Sequence, residues 1–151
     1  MLKDLMTADG QRAMRIGTAW EERLWEGLKA ADTAARWISG GEGNWLAGHD
    51  FIFRGKRLEL KTNEGVNDRG LPYKTCCLEV VTRGGNAVGW STGKADVVLL
   101  VNRFSHTGYF YNAKKLVSWT TGRRTFVKHD ADCLLIDWDD VDAGFMMEVS
   151  L

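Results

Sequence analysis

The sequence predicts an α/β domain with a central mixed β-sheet and flanking helices. Three observations carry that prediction: a helical apolar period near the start, two short β-favouring runs around a glycine turn, and a later continuous apolar strand. The first helix runs from Gln11 to about Ala31. Counting from Glu21, apolar residues fall at Leu24, Trp25 and Leu28, one face of a helix, while Thr18, Glu22, Glu26 and Lys29 lie on the wet side. Glu21 is therefore the carboxylate on the stripe that packs against the sheet, with Glu22 as the fallback. An ordinary boundary residue at the edge of that stripe is the plain alternative.

After the helix, Ser39-Gly-Gly-Glu-Gly-Asn44 reads as a loop leading into a hairpin. Phe51-Ile52-Phe53 is an apolar strand and Leu58-Glu59-Leu60 alternates with period two. Gly55-Lys56 between them fits a two-residue turn with glycine first. That turn opposes Arg54 to Arg57, Phe53 to Leu58, Ile52 to Glu59 and Asp50 to Lys61. Alternation then puts Asp50, Glu59 and Lys61 on one face, opposed pairs lying roughly 5 Å apart.

Later segments complete the sheet. Asn63–Lys74 is polar, contains the only proline, Pro72, and reads as a mobile loop. Thr75–Thr82 reads as a strand with Glu79 on the face of Cys77 and Val81. Arg83–Trp90 reads as a flexible turn before a short helix, and Asp96–Asn102 as a buried strand on its continuous apolar run. Asn112–Thr120 looks helical, followed by two or three short strands. No repeat, low-complexity tract or linker divides the chain, so residues 1–151 are expected to form one domain.

Composition narrows the function classes. Apolar content of 44% and charged content of 26% suit a water-soluble fold, and no apolar run approaches the ~20 residues of a spanning helix. Nothing at the start resembles a signal peptide, which predicts a cytoplasmic protein without a membrane partner. Cys76, Cys77 and Cys133 form no C-x-x-C and no zinc spacing, so reduced buried thiols are expected. The zero net charge hides a split. Residues 1–128 hold all 20 Lys and Arg beside 13 acids, a net +7, whereas residues 129–151 hold seven acids and no Lys or Arg. The basic part suits a polyanion. Arg54, Lys56, Arg57, Arg69, Lys74 and Arg83 are expected to flank the site, Lys94 to face it, and Lys114, Lys115, Arg123, Arg124 and Lys128 to form a second group. Solvated surface is the plain alternative for each. The acidic end can fold back on a basic surface or lie exposed.

Other chemistries find little support. Ser91-Thr92-Gly93-Lys94 is not a phosphate loop, because Val88 and Ala95 stand where glycine and Ser/Thr are needed. His49, His106 and His129 are scattered, and no G-x-S-x-G elbow exists. His49 is expected to pack on the strand face opposite Asp50.

What remains is two carboxylates and an ammonium on one hairpin. Mg²⁺ prefers oxygen donors and is usually held by one or two carboxylates plus substrate phosphate. A nearby lysine can orient water or stabilise developing charge. An exposed hairpin with a cross-strand ion pair is the plain alternative.

Taken together, His49-Asp50-Phe51 and Leu58-Glu59-Leu60-Lys61-Thr62 resemble the two core motif strands of the PD-(D/E)xK nuclease superfamily, with His49 in place of the family's proline. This superfamily includes Holliday-junction resolvases, restriction endonucleases and small phage nucleases. Gly17–Trp25 resembles its first helix, and Leu78–Val80 with Ser91–Leu100 resembles the later strand and helix-to-strand segment of small phage-type members. The resemblance spans roughly residues 11–103, and its specific part is Asp50…Glu59-x-Lys61. It implies a restriction-endonuclease-like core and Mg²⁺- or Mn²⁺-dependent hydrolysis of DNA. Asp50 and Glu59 are then metal ligands, helped by Glu21 and the Leu60 carbonyl, Lys61 positions the attacking water, and Glu79 is a further carboxylate candidate. DNA is the implied partner, a homodimer is compatible, and a bacterial cell or phage-infected host is the implied setting. The rival reading is a non-catalytic nucleic-acid-binding or interaction protein that keeps the fold.

Overall fold

A computed structural model describes residues 8–81, 85–128 and 131–151. Helix α1 (Ala8–Ala31) precedes β1 (Arg36–Trp37), β2 (Phe51–Phe53), β3 (Lys56–Asn63) and β4 (Thr75–Val81). A single 3₁₀ turn, Gly89–Thr92, leads to β5 (Val97–Asn102) and β6 (Thr107–Asn112). Helix α2 (Ala113–Thr120), β7 (Phe126–Lys128), β8 (Ala131–Asp137) and β9 (Phe145–Ser150) complete the order. Asn112 caps α2 by accepting from the Lys115 N–H, so the helix starts one residue later than its sequence span suggests.

The fold is α/β, as expected, with a mixed six-stranded sheet ordered β1-β2-β3-β5-β6-β9. Its one parallel pair is β3–β5. The expectation of one central sheet is corrected by a second, antiparallel sheet, β4-β8-β7. Strand β5 fills one edge of β3 and β2 the first part of the other, and β4 joins neither. Cys76 and Leu78 instead face inward from β4 and pair with Ile136 and Leu134 of β8.

Each face of the main sheet has its own core. Leu58, Leu60, Leu99 and Val101 point toward α1, where Trp20, Leu24, Trp25 and Leu28 cover them. Val98 and Leu100 point the other way, against Leu78, Trp90, Leu116 and Ile136 of the second sheet and α2. Residues paired across parallel strands share a face, so Glu59 and Lys61, opposite Val98 and Leu100, also face the second sheet.

The hairpin register differs from the expected one by two residues. Phe53 pairs with Lys56, Ile52 with Arg57 and Phe51 with Leu58. The turn is Arg54-Gly55, both with left-handed φ (48° and 75°), the type I′ pattern. Two forces select it. Phe51 and Leu58, both buried, meet across the strands, and Asp32 accepts the Arg54 N–H at 2.8 Å. A two-residue slide preserves which face each side chain takes, so Glu59 and Lys61 keep their side while Asp50 moves opposite Glu59.

The 64–74 segment, expected to be a mobile loop, is tied to itself. Val66 bridges Pro72, and the Asn67 side chain accepts from the Arg69 and Leu71 N–H groups. The acidic turn between β8 and β9 lies against α2, where Asp142 lines a hollow with Lys114 and Lys115. Cys76, Cys77 and Cys133 are free thiols. No helix among the described residues is long and apolar enough to cross a membrane.

Candidate active site

Strand β2 begins only at Phe51, opposite Leu58, and leaves the second half of β3 without a strand partner on that edge among the described residues. Asp50 fills the notch. Its N–H donates to Leu58 O at 2.9 Å, and its carbonyl accepts from the Ile38 and Ser39 N–H groups at 2.7 and 3.2 Å. Its Oδ2 accepts from the Leu60 N–H at 2.8 Å, taking the place of a strand carbonyl. Backbone and side chain are thus both fixed. A carboxylate held at a sheet edge this way is preorganised for a ligand.

The other groups converge on that notch from both faces. Glu59 is nearly buried, at 9% exposure, and its Oε1 lies 2.8 Å from Lys61 Nζ. Glu21 approaches from α1, half-buried, and accepts a 3.1 Å hydrogen bond from Ser39 Oγ. Glu22 is exposed on the far side of the helix. Ser39 carries no recognisable sequence signal, because its place beside Glu21 depends on β1 pairing with β2. Leu60 lies between Glu59 and Lys61 with its side chain in the α1 core.

The electrostatics follow from crowding acids into a shielded place. Burial, then the adjacent Asp50 carboxylate, pushes the Glu21 carboxyl up from 4.5 to about 8. Burial also raises Glu59, although Lys61 pulls it back. Burial opposes the charge on Lys61, but Glu59, with Asp50 and Glu79, outweighs it and keeps the ammonium protonated. Glu79 itself is exposed on β4 and acts at the level of charge.

A pH dependence follows. The folded, metal-free protein retains the Glu21 proton up to about pH 8, whereas an unfolded chain releases it near 4.5. The folded state therefore binds more protons in that window, and stability falls as pH rises from about 4.5 to 8. Glu21→Gln is expected to flatten most of that decline in thermal melts recorded in chelator. Equal slopes for parent and variant would contradict the assignment.

Hard oxygen donors suit Mg²⁺ or Mn²⁺ better than a thiolate- or imidazole-seeking metal. The Glu21–Asp50 pair shares excess negative charge that a divalent cation relieves, so the donor chemistry fits. As the side chains stand, no group of three His, Cys, Asp or Glu among the described residues is disposed to hold a metal ion. Glu59 is turned to Lys61 instead.

The expected nucleic-acid contacts are spread over the hairpin and the segments beside it. Arg54 lies in the hairpin turn and Lys56 and Arg57 open β3, Arg57 two residues and about 7 Å along the strand from Glu59. Arg57 is also committed to Asp96 through both side-chain and backbone N–H groups. Lys74 is exposed ahead of β4, while Lys94 lays its stem on Gly48, next to His49 and Asp50. Arg83 and His129 lie outside the described residues. His49 is half-buried, and its Nδ1 has no hydrogen-bond partner among the described residues.

Compared with protein-family models, curated proteins and solved structures, the chain finds no match in any of the three.

Proposed function

We propose that this chain is a divalent-metal-dependent nuclease of the PD-(D/E)xK type, built on a restriction-endonuclease-like core and hydrolysing DNA phosphodiester bonds. The observation that carries the reading is the Asp50 carboxylate, fixed in the notch beside β3, with Glu59 and Lys61 following on that strand. Asp50 and Glu59 supply anionic oxygens, with Glu21 and the Leu60 carbonyl as further donors. Bound Mg²⁺ or Mn²⁺ supplies polarisation of a phosphoryl oxygen and a lower pKa for water. Glu21, whose carboxyl is held up to about 8 by burial and Asp50, would join the donor set as a carboxylate if a cation were bound beside it. Lys61 remains an ammonium in this setting and offers N–H donors to the attacking water or the developing charge.

Within that reading, the form proposed is a structure-selective endonuclease acting on branched or phage-type DNA. A second reading, a binding module without catalysis, draws on the closed Glu59–Lys61 ion pair. Incubation with linear, nicked and four-way DNA in Mg²⁺ or Mn²⁺ separates the two. Cleavage that stops in chelator is the expected result. Intact DNA under every metal, with retained binding, decides for the module.

A further inference from the structure

A cleft of about 350 Å³ opens between the first half of α1 and the ends of β3 and β5. Its walls are Ile16, Gly17 and Glu21 on one side, and Leu60, Lys61 and Thr62 on the other, with Arg103 closing it. Arg103 follows β5 directly, and its N–H donates to Asn63 O at 2.8 Å, which anchors it to the end of β3. The cleft therefore brings Glu21 and Lys61, two of the candidate site residues, into one hollow with an arginine.

The state of that arginine is unusual. Its side chain is only 21% exposed, and its Nε is buried without a hydrogen-bond partner among the described residues. The acid paired with it is Glu64, a largely exposed side chain 3.8 Å away, at the outer limit of an ion pair. Arg12 of α1 adds a second positive charge near enough to act on it. A partly buried guanidinium beside another cation is costly unless an anion completes it. The planar fork of arginine matches the oxygens of a phosphate. Gly17 adds a second feature. A side chain there meets nothing within 4 Å, so the helix leaves this part of the cleft open rather than packed.

We propose that Arg103 binds a backbone phosphate of the nucleic-acid strand next to the phosphate held at Asp50, Glu59 and Lys61. Arg103 is thereby a positioning residue that fixes the strand in the cleft. The inference rests on the nuclease reading for its substrate but is measured by binding, so the two can fail separately.

The test uses the full chain and a fluorescein-labelled DNA oligonucleotide in Ca²⁺, titrated over a series of salt concentrations. Arg103→Gln is expected to weaken binding roughly five- to tenfold and to lower the salt slope by about one. Arg103→Lys should keep the slope while losing part of the affinity, which separates a phosphate contact from a fold defect. Glu64→Gln should tighten binding in the parent and do nothing in the Arg103→Gln background. Gly17→Leu, which has room in the fold, should weaken binding by obstructing the cleft. With a cleavable substrate, Arg103→Gln should raise KM more than it lowers kcat.

An unchanged salt slope in Arg103→Gln overturns the proposal even if the parent cleaves DNA. A parent that never cleaves but loses one unit of slope in Arg103→Gln overturns the nuclease reading and leaves the subsite standing. Displacement of the oligonucleotide by inorganic phosphate at equal ionic strength, dependent on Arg103, would reassign the cleft to free phosphate and overturn strand binding.

Discussion

Asp50→Asn and Glu59→Gln are each expected to lower cleavage by about three orders of magnitude or more, with little loss of fold. The reason lies in what each amide keeps and what it loses. At position 50 an amide oxygen still accepts the Leu60 N–H, and the backbone bonds to Leu58, Ile38 and Ser39 are untouched. The notch therefore survives, but a hard anionic oxygen is gone. At position 59 glutamine retains the shape of a nearly buried side chain and an acceptor for Lys61. Calorimetric titration with Mn²⁺ should show binding to the parent and weak or no binding to either variant. The Glu21 carboxyl sharpens the measurement. Cation binding displaces its proton, so parent affinity should rise as pH approaches about 8. Unchanged Mn²⁺ affinity in both variants would remove Asp50 and Glu59 from any metal site.

The hairpin shows what short-range pattern can and cannot deliver. Its two strands were legible because Phe51, Leu58 and Leu60 are buried and the runs that hold them favour β-structure. Its register was not legible, because the left-handed Arg54 is held by Asp32, far upstream. Parity alone decides which face a side chain takes, so the grouping of Glu59 with Lys61 did not depend on the register. Glu21 was distinguishable from Glu22 for the same kind of reason, a helix period read against one apolar stripe.

Long-range pairing accounts for most of what the sequence left hidden. Strand β4 meets β8, whose residues lie more than fifty positions later, and no local feature of either announces the other. The cations Arg54, Lys56 and Arg57 lie within five residues of Glu59 on one hairpin, a placement that short-range pattern delivers. Arg103 shows the converse. It lies forty-two positions beyond Lys61, and the parallel β3–β5 pairing brings both to one cleft. Distance along the chain concealed this cation.

Lys61→Ala separates an enzyme from a binding module, because the two readings assign different work to one ammonium. In the enzyme, the Lys61 N–H groups act on charge that develops during cleavage, so their loss should cost about two to three orders of magnitude in kcat. Affinity for DNA in Ca²⁺ should change only a few-fold. The substitution also leaves Glu59 buried without its 2.8 Å partner, and that carboxyl should then retain its proton to higher pH. Some stability is lost with it, and melts alongside the kinetics distinguish this loss from a chemical defect. The double variant Lys61→Ala/Glu59→Gln should recover stability without recovering cleavage, since the buried charge is removed while the donor stays absent. In the binding module, by contrast, the parent cleaves nothing in Mg²⁺ or Mn²⁺, and Lys61→Ala only weakens binding, with a salt slope lower by about one phosphate contact. A parent that cleaves while Lys61→Ala cleaves equally well would keep a nuclease but move its chemistry away from β3.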